Sequence, residues 1–371
     1  MIAPRYGAGT LADVIPGALA ALGLPGVADP LRLADRLSGK RRVAVLLVDG
    51  LGHHQLPLAA PYVPTLGAFG GGPITCGFPS TTPTSLVSAG TGAPPGAHGV
   101  LAFNVRVPET GRVLNHIEWR ADPDPAEWQP VPTLFARAEA AGIPATVVSR
   151  PEFAGSGLTI AAYGGGGYLP ATGVDGLAEG ILAALRDRGG LVYGYHPDLD
   201  KAGHLHGLRS PEWAAAAGQL DRLLSRLVDG LPADAALLVT ADHGQLDVPL
   251  EGRTDIDLDP RLRAGVVAVA GEPRVRYLHT LDGARDDVLA TWRGLLGEAA
   301  WVGGREEAAA SGWFGPVPPA HLARLGDVVV VCGGTHVVVA SRTEPAFVAK
   351  MIAFHGSYTP AEMEIPLLIL S

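Results

Sequence analysis

Cysteine is nearly absent from this chain: Cys76 and Cys332 are the only two in 371 residues. Two thiols so far apart exclude a disulfide framework and match no zinc-finger spacing, so both are expected to be reduced and structural. Charge is scarce as well. Charged side chains make up 18% of the residues and hydrophobic ones 47%, a balance that argues against long disordered arms. There is no excess of positive charge, and the formal net charge of −9 disfavours a surface for polyanions, so no nucleic-acid groove is expected. No apolar run approaches the roughly 20 residues of a membrane span. The N-terminal "LADVIPGALAALGLPGVA" is interrupted by Asp13 and two prolines and follows no basic cluster, which points to an amphipathic lead-in helix rather than a signal peptide. A cytoplasmic protein without a membrane partner is the expectation.

What the chain does have is a series of short apolar runs. "RRVAVLLVDGLG" is a continuous apolar stretch closed by Asp-Gly, which reads as a buried parallel strand delivering Asp49 into a loop at its carboxyl end. Similar runs are "PATVVS" (Pro144 to Ser149), "LVYGYH" (Leu191 to His196), "AALLVT" (Ala235 to Thr240), "DVVVVC" (Asp327 to Cys332) and the final "IPLLIL". Helical patterns such as "DGLAEGILAALRDR" and "PEWAAAAGQLDRLLSRLVDG" lie between several of them. This alternation predicts an α/β fold, a mostly parallel central sheet with helices on both faces. The rhythm breaks from about 248 to 326, so the chain is expected to be one domain, 1–371, with a small inserted cap there.

Four segments place Asp and His at or just after strand ends, where α/β sheets carry their chemistry. They hold Asp49 in "LLVDGLG", Asp200 and His204 in "YHPDLDKAGHLHG", Asp242 and His243 in "LLVTADHGQLD", and His355 in "FHGSYTPAEMEIPLL". Asp200 and His204 stand four apart, so one helical turn puts them on one face. Buried carboxylates converging at one sheet edge are tolerable only if cations neutralise them. Three Asp and three His suit two divalent ions, zinc by ligand type and manganese as the alternative. Two such ions clamp the attacking and leaving oxygens of a displacement at phosphorus. That logic gives a role to "TCGFPSTTPTSLVSAGTG": Thr82, at the turn into a helix, is the candidate attacking hydroxyl, above backbone N–H groups that favour phosphoryl oxygens.

In order, the chain shows "VDGLG", "FPSTTPTS", "GTGAPPGAHG", "LDKAGHLHG", "TADHG" and "FHGSYTPAEM". Together these resemble the type I phosphodiesterase/nucleotide pyrophosphatase family of the alkaline phosphatase superfamily, over nearly the whole length. The resemblance implies an alkaline phosphatase-like fold and a hydrolase of phosphodiester or pyrophosphate bonds, acting on a small phosphodiester or nucleotide-like substrate through a covalent threonine intermediate. It implies that Asp49, Thr82, Asp242 and His243 hold one ion and Asp200, His204 and His355 the other. Thr82 is placed as nucleophile ahead of Thr81 and Ser80. Asn104 corresponds to a family asparagine that touches a phosphoryl oxygen, but stands one residue late, and Pro83 alone replaces an aromatic-proline pair after the nucleophile.

Other readings of the same residues are a phosphomonoesterase or phosphonate hydrolase on this scaffold, or a noncatalytic metal-stabilised binding protein. A sulfatase built on Cys76 is disfavoured, because "CGFPS" lacks that branch's cysteine, proline and arginine spacing. His336 competes with His355 but lies in an apolar strand pattern and is expected as a core or sheet-face residue. His53, His54, His98 and His206 are expected in loop or surface roles.

Overall fold

The computed structural model describes residues 2–371. Eleven strands build its two larger sheets: β1 (Arg42–Val48), β2 (Gly70–Thr75), β3 (Ala145–Ser149), β4 (Gly167–Pro170), β5 (Gly190–His196), β6 (Ala235–Thr240), β7 (Val266–Glu272), β8 (Val275–Thr280), β9 (Ala300–Gly304), β10 (Val328–Cys332) and β11 (Glu364–Leu370). The central sheet has seven strands in the order β2-β11-β6-β1-β5-β3-β4. β1 is flanked by β5 and β6, both parallel to it, whereas β11 runs antiparallel to β6 and β2. The fold is therefore α/β with a mostly parallel sheet, as the apolar runs predict.

The continuous apolar composition of β1, β5 and β6 follows from cover on both faces. On β5, Tyr193 meets Tyr163 of the Gly157–Tyr163 helix, while a Cβ on its neighbour Gly194 would touch Ile181 of the Gly173–Asp187 helix. Successive strand residues point to opposite faces, so these helices lie on opposite sides of the sheet. Register then sets the site. Val48 pairs with His196 and Leu47 with Thr240, which levels the carboxyl ends of the three central strands and brings the residues after them to one rim.

Three expectations are corrected. The Asp327–Cys332 run does not join the parallel sheet: its strand, β10, is an inner strand of a second sheet, antiparallel and ordered β7-β8-β10-β9. A fully apolar run satisfies the interior of either sheet, so composition cannot assign it. The lead-in segment forms a helix at Val14–Ala21 that is buried from Val14 to Leu19 rather than amphipathic, because it contains no polar side chain to turn outward. His98 is fully buried, not loop or surface: its Nε2 lies 2.9 Å from Ser88 Oγ, and its Nδ1 accepts the Val100 N–H at 3.1 Å. Both cysteines are buried and unpaired.

A buried ion pair joins the second sheet to the loop after His355. Arg274, between β7 and β8, donates from Nε and Nη2 to the two Glu362 oxygens at 2.9 and 2.7 Å, and both side chains are wholly inaccessible to solvent. Glu362 also accepts the Ser357 N–H at 2.9 Å. No helix among the described residues is long and apolar enough to cross a membrane.

Candidate metal centre

Asp49 leaves β1 through Gly50, whose φ of +74° suits glycine and whose missing Cβ would lie 3.0 Å from the Asp200 backbone. A side chain there would separate the first two acidic segments. Asp242 follows β6, and its Oδ1 accepts the N–H groups of Gly50 at 3.2 Å and His243 at 3.1 Å. Asp200 in the first turn and His204 in the last turn of the Asp198–His206 helix share one face, with His204 Nε2 3.3 Å from Asp200 Oδ2. His355 arrives from the far end of the chain, its Nε2 3.2 Å from His204 Nε2 and 3.9 Å from Asp200 Oδ1. The structure thus brings all four segments to one place.

Two clusters result. Asp49, Asp242 and His243 offer ligand atoms within 4.8 Å of one another, and so do Asp200, His243 and His355. His243 stands between them, its ring stacked on that of His355 at 3.6 Å and 13°. Its Nε2 lies 3.5 Å from Asp49 Oδ1, 3.3 Å from Asp242 Oδ2 and 3.2 Å from Thr82 Oγ1.

The hydrogen-bond chemistry of these atoms fits cations. Each histidine commits Nδ1 to a backbone carbonyl: His204 to Ala353 at 2.8 Å, His355 to Ser80 at 2.9 Å and His243 to Gly244 at 3.2 Å. A carbonyl only accepts, so each Nδ1 carries the hydrogen and each neutral Nε2 presents a lone pair. Those lone pairs face one another and carboxylate oxygens, and Asp49 Oδ1 and Asp242 Oδ2 are buried without any hydrogen-bond partner. Such a nest of acceptors, three carboxylates included, is what divalent-ion ligands present.

Electrostatics point the same way. Burial, reinforced by repulsion from Asp242 and Asp200, holds the Asp49 carboxyl well above its usual range, and burial raises Asp242 to about 6. Burial also raises Asp200, although His204 opposes the shift. The imidazoles move oppositely: burial lowers His243 to about 4, and burial together with His243 and His204 pushes His355 well down. Every one of these shifts has burial as its largest cause, which penalises the charged form of carboxylate and imidazole alike.

Thr82 opens the Thr82–Thr91 helix, and its hydroxyl hydrogen points to His243 Nε2. Of the neighbouring hydroxyls, Ser80 Oγ donates to Ser357 O at 2.6 Å, and Thr81, the helix N-cap residue, is fully buried with no hydrogen-bond partner for its Oγ1. Asn104 is half-buried in a short ladder opposite Asn115, with no hydrogen bond from its side chain to the clustered residues. His336 is not on a sheet face. It occupies the turn before the Val337–Val339 strand, where its carbonyl accepts Arg274, because that strand begins one residue later than the apolar pattern suggests.

Two supporting residues escaped the sequence reading. Tyr195, on β5, donates its hydroxyl to Asp49 Oδ2, and Gln245 donates to Asp200 Oδ1 and to Asp200 O, the latter at 3.2 Å. Gln245 had a weak signal, lying two residues after His243; Tyr195 had none. By occupying Oδ2, Tyr195 leaves Oδ1 as the oxygen turned to the cluster. Tyr195→Phe keeps the ring against Phe153 but removes that bond, and is expected to weaken divalent-ion binding by roughly 10- to 100-fold in a chelator competition assay. The melting temperature of the metal-free protein should change little.

Acid and imidazole side chains thus gather at the carboxyl rim of a mostly parallel sheet with one reversed strand, β11, beside Thr82 at the first position of a helix. The chain belongs to the type I phosphodiesterase/nucleotide pyrophosphatase family, matching it over residues 43–358. It is 26% identical over 201 residues to an uncharacterised pyrophosphatase/phosphodiesterase of Schizosaccharomyces pombe, a match covering 52% of this chain and 41% of that protein; the matched region is thus less than half of the relative. Murine ectonucleotide pyrophosphatase/phosphodiesterase 5 shares the fold with a TM-score of 0.71 at 17% identity, over 88% of this chain and 87% of that one. An inactive threonine-to-alanine variant of the murine protein is known in complex with AMP, at the same TM-score, identity and coverage. Phosphonoacetate hydrolase from Sinorhizobium meliloti superposes with a TM-score of 0.66 at 22% identity, over 88% and 89% of the two chains.

Proposed function

We propose that the protein cleaves phosphodiester or pyrophosphate bonds of a small phosphodiester or nucleotide-like substrate through a covalent threonine intermediate at a two-metal site. Asp49, Thr82, Asp242 and His243 hold one ion, and Asp200, His204 and His355 the other, with zinc the expected metal. The observation that carries this reading is the 3.2 Å approach of Thr82 Oγ1 to His243 Nε2, at the edge of an acceptor-only cluster and at a helix N-terminus. The murine variant inactivated at a threonine supports a threonine in this role.

When bound, the ions supply the positive charge that balances the three carboxylates, favours the ionised form of the hydroxyl and draws electron density from the phosphoryl oxygens. The chain's own residues do the rest. Thr82 Oγ1, its proton given up to solvent, forms the bond to phosphorus on one side as the bond to the leaving oxygen breaks on the other, and that oxygen departs as an alcohol protonated by solvent or, from a pyrophosphate, as a phosphate. First-turn N–H groups of the Thr82–Thr91 helix, which no helical carbonyl accepts, face the phosphoryl oxygens, with Pro83 setting the turn. Water then cleaves the threonyl ester and restores the hydroxyl. In the same reading, the segment from about 248 to 326 is an insertion within a single domain, and its Arg274–Glu362 pair steadies the loop carrying His355.

The test is turnover of bis-p-nitrophenyl phosphate and p-nitrophenyl phosphate by zinc-loaded protein, paired with metal analysis. We expect the diester to be favoured by about tenfold or more in kcat/KM and two ions to be bound per chain. Preference for the monoester, or phosphate release from phosphonoacetate alone, would replace this reading with the phosphonate- or monoester-hydrolase one that the Sinorhizobium fold relative raises.

A further inference from the structure

A cavity opens beside Thr82. Leu86, Ile117, Val147, Phe153 and Leu158 give it apolar walls. No Asp, Glu, Lys, Arg or His among the described residues lines it.

Its remaining lining is hydroxylic, yet most of those hydroxyl hydrogens point into the protein. Tyr195 donates to Asp49 Oδ2, and Tyr168 donates to Arg150 O at 2.6 Å. Tyr163 donates to Tyr193 at 2.7 Å. Ser156 donates to Thr159 at 3.0 Å, and Thr159 in turn donates to Phe153 O at 2.8 Å. Thr82 faces His243, which leaves Ser149 and the fully buried Tyr193 as the lining hydroxyls whose hydrogens have no assigned acceptor. An adjoining smaller pocket shares Ser149 and Tyr195 and brings in Arg150. That guanidinium is already bonded to Asp198 and lies 3.9 Å from Glu152.

We infer that this cavity takes an uncharged, largely apolar substituent of phosphorus, such as an aryl or alkyl ester, in preference to a nucleoside or a carboxylate-bearing group. A nucleobase brings several acceptors on its edge, and a wall whose hydroxyl hydrogens are already committed leaves those acceptors without donors. A carboxylate would meet no free cation. The polar hydroxyls contribute shape and keep the aromatic rings in place; the ligand meets ring faces and aliphatic side chains.

This inference rests on the proposed phosphodiesterase reading for the position of phosphorus at Thr82, so its test has a turnover arm and a binding arm. In the first, kcat/KM is compared for p-nitrophenyl phenyl phosphate and the p-nitrophenyl ester of thymidine 5′-monophosphate, which share a leaving group. The phenyl ester is expected to be favoured by roughly tenfold or more, and Leu158→Asn, which adds an amide to the wall, is expected to narrow that ratio. In the second, zinc-loaded Thr82→Ala protein is titrated calorimetrically with phenyl phosphate and with AMP, and phenyl phosphate is expected to bind roughly tenfold more tightly or better. Equal or tighter binding of AMP overturns the inference, as does an equal or reversed kinetic ratio. A protein that turns over neither ester refutes the phosphodiesterase reading, and the calorimetric comparison then decides this one alone.

Discussion

Thr82→Ala is expected to lower diester turnover by at least about a thousandfold, the scale at which removal of an attacking group is felt. Zinc content, fold and binding of phosphate monoesters should be retained. Thr82 Oγ1 lies beside His243 Nε2 but makes no hydrogen bond that the fold depends on, whereas Ser80 ties down the Ser357 carbonyl. A stability loss is therefore not anticipated. Thr82→Ser, which keeps the oxygen, should restore most of the rate. The decisive measurement is single-turnover kinetics, with mass spectrometry of acid-quenched wild type to detect a phosphoryl or nucleotidyl adduct on the Ser80 to Ser85 peptide. A Thr82→Ala protein that turns over diester at the wild-type rate would move the nucleophile to Thr81 or to water.

The second large effect is on stability. Arg274→Met removes one partner of an ion pair that solvent does not reach, and leaves Glu362 charged inside the protein. Breaking such a pair costs about 3–5 kcal/mol, to be measured by urea denaturation of metal-free protein at constant pH. The double variant Arg274→Met/Glu362→Gln is expected to regain part of that loss. It removes the uncompensated charge and keeps an oxygen for the Ser357 N–H. If the single variant matched wild type, water or another cation would have to reach Glu362. The single variant should also raise the metal concentration needed for full activity, because Glu362 holds the loop that follows His355.

The sequence made the central sheet and the clustering of Asp49, Asp200, Asp242, His243 and His355 legible for one physical reason. A parallel strand covered on both faces must be apolar throughout, so an acid or imidazole just after it stands out, and register then levels the strand ends. Tyr195 was hidden because a tyrosine inside a strand looks like any core aromatic, and only the fold shows its hydroxyl meeting Asp49 from 146 residues away. His98 misled in the opposite sense. Its glycine and proline neighbours suggest an exposed turn, but packing against Ser88 closes over it. The Val328–Cys332 strand shows a third limit: hydrophobicity states that a strand is buried, not which partners bury it. The commitment of cavity hydroxyls to internal acceptors was likewise beyond the sequence, since it depends on where side chains of five different segments converge.

The placement of β11 has a consequence for biosynthesis. Its residues, Glu364–Leu370, wedge between β2 and β6, and β2 has no other neighbour in the sheet. A nascent polypeptide still threading through the ribosome can therefore align β1, β5 and β6, but must keep Gly70–Thr75 waiting for nearly three hundred residues of translation. His355 emerges only just ahead of that closing strand, so the Asp200, His243 and His355 cluster is completed at the same late stage as the sheet itself.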